Sequence, residues 1–357
     1  MSGPSVLIIG AGIVGAAIAY RLAQAGQRVT VLERHGAPAE GVTAASYGWV
    51  NTVMINPVDP GAHYSQRLTA FAKHHALNDA LGGRLFGKAV GSLVWRQSET
   101  ETAAHARLHQ DHGSDVSLVD GEALRELLPR VKTPPPVAIH AAGDLALNTR
   151  HVTGTLLAAA EQHGATVHMG TTTQAIIVEG GRIVAVETDQ GRQSCDVCIV
   201  AAGLDSTSLL ATFGLGEVVE ASPVALVTIA GASGPPRTET LPTMPVMVRC
   251  PTLEARFNDH DTLVAVTGVG DLATWEDTPA ARDAIGERVL GDARSVLTGL
   301  DKASVARVQV GYRPLPVGGE NLIGPVEGVD GLYAAIAHPG VILAPEIAET
   351  IRDLILS

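Results

Sequence analysis

Residues 10–15 of the chain read GAGIVG, which puts Gly10, Gly12 and Gly15 in the spacing G-x-G-x-x-G. Each glycine has a task that a side chain would block. Gly10 allows a tight turn out of a strand. Gly12 lets backbone amides approach a diphosphate, and Gly15 lets the next helix lie close on the sheet. Glu33 ends the second apolar run. A carboxylate there can accept hydrogen bonds from a ribose diol and repels a 2′-phosphate, so NADP is disfavoured. The chemistry is dinucleotide binding, and the turn alone leaves FAD and NAD both open.

The elements that must hold these residues follow in register. Val6 to Ile9 is a continuous apolar run, as expected of a buried parallel strand. A helix from about Ile13 to Ala25 would aim its N-terminal amides and dipole at the phosphates. Ala19 is small where helix meets sheet, Gly26 can end the helix, and Val29 to Leu32 forms a second strand. The small residues of TAASYGWVN, Thr43 to Asn51, can pass beneath a diphosphate. Further on, the pattern predicts a helix over Val152 to His163, a short strand near Val167, and a hairpin around Gly180–Gly181. A buried strand follows within CDVCIVAAG, Cys195 to Gly203. The last stretch gives a strand pair, a strand near Leu332 to Ile336, a turn at Pro339–Gly340 and a final helix.

The bulk numbers bound the class. At 357 residues the chain suits two domains, and a 46% hydrophobic content can bury a sizeable core. A formal net charge of −12 argues against nucleic acid as a partner. No stretch reaches the ~18–20 apolar residues of a membrane helix, and no basic residue precedes the first apolar run as in a signal peptide. Three cysteines, Cys195, Cys198 and Cys250, fit a reducing cytoplasm better than a disulfide framework. Cys195 and Cys198 form a C-x-x-C, but residues three apart on one strand point to opposite faces. The thirteen histidines lack metal-ligand spacing, and no metal site is expected.

Taken in order, these motifs resemble the D-amino-acid-oxidase-like FAD-dependent oxidoreductases, in particular the glycine oxidase and sarcosine oxidase branch. The resemblance is strongest over 5–34, 151–205 and 311–353 and weak over 85–140 and 215–300. It implies an α/β fold: a Rossmann-like FAD-binding domain with a second α+β substrate domain built on a large antiparallel sheet. The FAD-binding domain would be discontinuous, from 1–84, 141–214 and 306–357, with 85–140 and 215–305 as the substrate domain. Carried over by position, Gly10, Gly12, Ile13, Val14 and Gly15 would contact the diphosphate, Glu33 the ribose, and Arg34 the neighbourhood of the adenine. Ser46 would touch phosphate, and Gly48, Trp49 and Val50 would lie close to the isoalloxazine. Thr173 would meet adenine through its backbone, and Ala202 and Gly203 would line the ribose side. Gly340, Val341 and Ile342 would meet the pyrimidine end, where a helix dipole favours the charge that develops on reduction. Sarcosine oxidases attach FAD through a late cysteine; none follows Cys250 here, so the FAD would be non-covalent.

At the substrate end, Arg313 in GYRPLP matches the family's carboxylate-binding arginine, whose planar fork suits the task. Arg249, in PVMVRC, is either a second cation for an extra carboxylate or a solvent-facing strand residue. His338 either lies near the flavin or caps a turn. Tyr47, Trp49 and Asn51 can wall the pocket, though Trp49 equally suits the core. The implied reaction is oxidation of a C–N bond in a small amino acid or N-substituted glycine, with oxygen or another acceptor taking the electrons. The sequence leaves homo-oligomerisation open.

Overall fold

The opening strand serves two cores with alternate residues. In Ser5–Ile9, Val6 and Ile8 face a helical layer while Leu7 and Ile9 face the opposite side, the two-residue period of the pleat. The computed structural model describes residues 3–59, 63–86, 91–232, 247–258, 261–270 and 274–357. The opening strand lies inside a six-stranded sheet in the order Leu322–Pro325, Leu332–Ile336, Val197–Val200, Ser5–Ile9, Arg28–Glu33, Thr166–Met169. Its neighbours run parallel except the first pair. Helices Ile13–Gln24, Thr149–Gln162 and Gly340–Leu356 cover one face. A three-stranded antiparallel sheet, Thr173–Glu179, Arg182–Thr188 and Gly191–Ser194, covers the other.

Helix Ile13–Gln24 is buried almost all round, which its four alanines and Gly15 make geometrically feasible. A Cβ on Gly15 would stand 2.0 Å from the Gly10 carbonyl oxygen. Only a glycine lets the helix sit this near the sheet.

The second large element is an eight-stranded sheet. Its order is Ser304–Pro316, Val219–Ala230, Thr262–Gly268, Glu254–Phe257, Met247–Arg249, Ser92–Val94, Val137–Ala141, Ser117–Asp120. Every pair is antiparallel except Met247–Arg249 with Ser92–Val94. One face packs on helix Pro279–Val296 through Ala225, Val227 and Ile229. The other, including Leu226, Val264 and Val266, faces Tyr47 and Trp49.

Two sequence expectations need adjustment. The family pattern puts residues 306–316 with the FAD-binding segments, but strand Ser304–Pro316 pairs with Val219–Ala230 from end to end. Twelve of the strand's thirteen residues find partners on Val219–Ala230, and this pairing carries Arg313 on the larger sheet. The expected 215–305 segment also includes 233–246, 259–260 and 271–273, which lie outside the described residues. The opposite-face argument for the C-x-x-C fails as well. The strand begins at Val197, so Cys195 precedes it and escapes the alternation. Both thiols enter one apolar cluster, unbonded to each other. Burial pushes Cys195 up to about 11 and Cys198 well above the usual thiol range. Among the described residues, no helix is long and apolar enough to cross a membrane.

Candidate flavin and substrate site

A continuous cavity of about 610 Å³ runs along the carboxyl ends of the parallel strands and reaches the cavity-facing side of the eight-stranded sheet. This is the crevice where open α/β sheets bind ligands. Gly10, Gly12, Ile13 and Val14 line it, whereas Gly15 lies behind them, packed against the turn. Gly10 leaves the strand at φ +108°, and a Cβ there would come within 2.5 Å of the Ala201 carbonyl oxygen. A Cβ on Gly12 would have one neighbour within 4 Å, the Thr43 hydroxyl at 3.2 Å, so Gly12 keeps cavity space open rather than relieving a clash.

Two helix N-termini meet this space. Helix Ile13–Gln24 starts at Gly12 with no side-chain cap from that residue and no acid in its first turn. The Ile13 amide donates to the Thr43 hydroxyl at 3.3 Å. Helix Gly340–Leu356 likewise has no side-chain cap and no first-turn acid, and Gly340, Val341 and Ile342 line the cavity. The remaining first-turn amides and the dipoles of the two helices favour an anionic ligand.

Farther along, Glu33 is buried, and its carboxylate accepts the Ala11 amide at 2.8 Å and the His35 amide at 3.0 Å. Arg34 pairs with Asp205 at 2.8 Å, and both line the cavity. Ala202, Gly203, Thr171 and Thr173 line it too. The hydroxyls of Thr171 and Thr173 are buried without a hydrogen-bond partner, and buried polar groups left unpaired point to a missing ligand. Slender glycine wall, two positive helix ends, buried carboxylate and orphaned hydroxyls fit an elongated dinucleotide. FAD would be held by the Gly10–Val14 turn and the Gly340–Ile342 turn.

The segment after the second strand shapes the middle of the cavity. Ser46 lines it and accepts the Gly48 amide at 3.3 Å. Gly48, at φ +73°, would put a Cβ 2.2 Å from the Leu147 carbonyl oxygen, so the chain can pass only as glycine. Strand Trp49–Val50 then pairs with Leu145–Ala146. Val50 is fully buried in the helical core and does not line the cavity. Trp49 is both wall and core: it lines the cavity while its indole donates to buried Asp144 at 2.9 Å. Asp144 also accepts from Ser92, and burial nevertheless pushes its carboxyl up to about 7. Asn51 lines the cavity with its amide oxygen accepting from Met54 and its nitrogen donating to the Trp49 carbonyl.

Arg313 and His338 stand together at the substrate end. Arg313 donates to the Ser222 hydroxyl at 2.7 Å, and its Nε is buried without a partner. Burial lowers its pKa, but an arginine remains charged. His338 is pulled down to about 4 by burial first, then by Arg313 and Arg67, so the imidazole is neutral at pH 7. Arg67, on helix Tyr64–Ala80, also lines this end, and burial lowers it to about 10. Arg249 is elsewhere. It does not line the cavity, and it donates to Glu254 at 3.0 Å. Glu254, not Arg249, reaches the wall.

Sequence reasoning missed Thr43, Asp205, Arg67, Asp144 and His74. The clearest signal was for His74. Pro345 sits inside the last helix and removes the amide that would serve the Val341 carbonyl. His74 is buried and its Nε2 approaches the Val341 and Ile342 carbonyls at 3.1 and 3.0 Å. A single Nε2–H donor replaces the missing one and fixes the turn that faces the cavity.

The chain matches the family model described as FAD dependent oxidoreductase over residues 5–354, and it belongs to that family. It is therefore an FAD-dependent oxidoreductase. It is 27% identical to a glycine oxidase of Pseudomonas aeruginosa over 98% of this chain and 94% of that protein. An uncharacterized oxidoreductase of Bacillus subtilis is 26% identical, covering 99% of this chain and 95% of that one. The crystal structure of a glycine oxidase from Bacillus cereus has the same fold, with a TM-score of 0.83 and 21% identity over 99% of this chain and 95% of that one.

Proposed function

We propose that the protein oxidises the C–N bond beside the carboxylate of a small amino acid or N-substituted glycine, with oxygen as acceptor and non-covalently held FAD. The observation that carries this reading is Arg313: a guanidinium at the inner end of the cavity, tied to one neutral hydroxyl and with a buried N–H unpaired. A planar fork so placed takes a carboxylate in two charge-assisted hydrogen bonds. That fixes the adjoining carbon and aims it along the cavity. Neutral His338 beside it adds no positive charge and leaves room for an amine in its neutral form. Tyr47 and Trp49 meet edge to face at 6.5 Å and keep water from this end. Bound FAD supplies a two-electron acceptor. Net, the amine, water and oxygen give a carbonyl compound, the released amine or ammonia, and hydrogen peroxide. Three buried, unbonded cysteines support action in a reducing cytoplasm.

Anaerobic mixing with glycine, sarcosine, other N-substituted glycines and D-amino acids tests the reading through loss of the flavin's visible absorbance. Arg313→Met should lower kcat/KM by about ten- to a hundredfold, from about 1.5–3 kcal/mol of charged hydrogen bonding. Absorbance that persists with every candidate amine removes the proposal. Dye reduction without peroxide removes the choice of oxygen.

A further inference from the structure

Asp144 stands one side chain behind the cavity wall. Strand Trp49–Val50 pairs with Leu145–Ala146 in a register that sets Trp49 opposite Ala146, so Asp144 is the diagonal neighbour of Trp49. Trp49 lines the cavity and Asp144 does not. Asp144 is 1% exposed. Its two donors, the Trp49 indole N–H at 2.9 Å and the Ser92 hydroxyl, reach the same oxygen, Oδ2. Oδ1 accepts no hydrogen bond among the described residues. Burial pushes the carboxyl up to about 7, and only these neutral donors pull the other way. The elements packed around it supply no cation. His140, on strand Val137–Ala141, lies toward Gly91, and Phe71 of helix Tyr64–Ala80 packs on Gly143 with His75 beside it at 5.3 Å. Lys73 and His74 of the same helix are bonded to the last helix. None of these groups shifts the Asp144 carboxyl. A carboxyl so held ionises at a cost, and negative charge arriving nearby raises that cost.

We propose that Asp144 is a positioning residue that holds the Trp49 indole in the cavity wall and takes up a proton on Oδ1 when the flavin is reduced. Two electrons and one proton convert bound FAD to its anionic reduced form. A second proton joins Oδ1 from solvent and returns there on reoxidation. The electrons come from the substrate or, in titration, from dithionite. Linkage makes the effect reciprocal: negative charge in the cavity strengthens proton binding at Asp144, and an ionised Asp144 makes the flavin harder to reduce.

The midpoint potential of the holoenzyme, titrated with dithionite against reference dyes from pH 6 to pH 9, tests this. Asp144→Asn keeps an acceptor for both donors and cannot ionise. The wild type should fall below the variant progressively as pH rises, and the gap should widen by at least about 30 mV. For two electrons that is a tenfold gain in proton affinity at Asp144 on reduction. A gap that is the same at every pH, zero included, overturns the proposal and leaves Asp144 a packing role alone. Should Asp144→Asn fail to fold, Trp49→Phe gives a second measurement. Loss of the indole donor strengthens proton binding at Asp144, so the pH at which the slope of the potential changes should move up. An absent or unmoved break overturns the proposal as well. Because dithionite replaces the amine throughout, either failure leaves the amine-oxidation reading in place.

Discussion

Replacing His74 with leucine removes the donor that serves the Val341 carbonyl while filling most of the buried space. The loss can be sized from the structure. Pro345 has no N–H, so in the variant the Val341 oxygen has no helical donor, whereas Ile342 keeps the amide of Glu346. One buried acceptor left unsatisfied costs about 1–3 kcal/mol. An unfolding entropy of about 2.1 cal/mol/K per residue over 357 residues is about 0.75 kcal/mol/K, so Tm should fall by about 1–4 °C. FAD affinity should fall as well, because Val341 and Ile342 lie on the cavity wall. His74→Gln keeps an N–H donor and should recover part of both losses. Pro345→Ala supplies the Val341 carbonyl with a helical amide, so His74→Leu should be less damaging in that background. Thermal melts of these variants and FAD titration of their apo forms decide the matter. Equal damage from leucine whether Pro345 is kept or replaced would refute the reasoning. The same group predicts a pH response. Burial holds folded His74 at about 4, below its usual 6.5. Its neutral form is the bonded one, so its contribution is complete above about 6.5 and drains away as pH falls toward 4. His74→Leu should therefore flatten the acid limb of the stability curve.

Gly12→Ala should fold nearly normally, since the added methyl meets only the end of Thr43 at 3.2 Å, yet purify with little FAD. Gly10→Ala should also lower the melting temperature of the apo form, because it adds a clash with Ala201 at φ +108°; equal apo stability of the two variants would contradict this division. Asp144→Asn keeps an acceptor for Trp49 and Ser92 but cannot ionise. Because burial raises Asp144 to about 7, the wild type loses stability as pH rises from about 4 through 7. The variant should be the more stable protein at pH 8 and no better at pH 4, and melts at the two values check it.

What could be read in the sequence was enforced by local sterics. Gly10, Gly15 and Gly48 stand where any Cβ would strike a carbonyl oxygen within 2.5 Å, so their spacing announced the turn and the approach of the chain. The apolar runs of Val6–Ile9 and Val197–Val200 needed only the rule that a doubly covered strand is apolar throughout. The substrate end followed no such rule. Arg67, Asn51, Arg313 and His338 meet there from four separate segments. Their meeting depends on how Ser304–Pro316 registers against Val219–Ala230 and on where helix Tyr64–Ala80 docks. Neither can be seen within a window of a few turns.

The sequence leaves Arg249 either as a second cation for an extra carboxylate or as a solvent-facing strand residue, and the structure pairs it with Glu254. Its partner was five residues away, in RCPTLE, where a short turn brings Arg249 opposite Glu254 on the neighbouring antiparallel strand. Cross-strand opposite charges at that position neutralise each other. Arg249 and Arg313 should therefore fail differently when removed. Arg249→Met leaves Glu254, whose carboxyl burial already pushes up, without its compensating cation. About 1–3 kcal/mol of stability should go with the lost charged hydrogen bond, and Glu254→Gln added to Arg249→Met should restore much of it. The double variant should keep its kcat/KM for the amine substrate, which Arg313→Met lowers. If Arg249→Met instead keeps full stability and lowers kcat/KM, the ion pair with Glu254 gives way in solution, and Arg249 belongs to the substrate site.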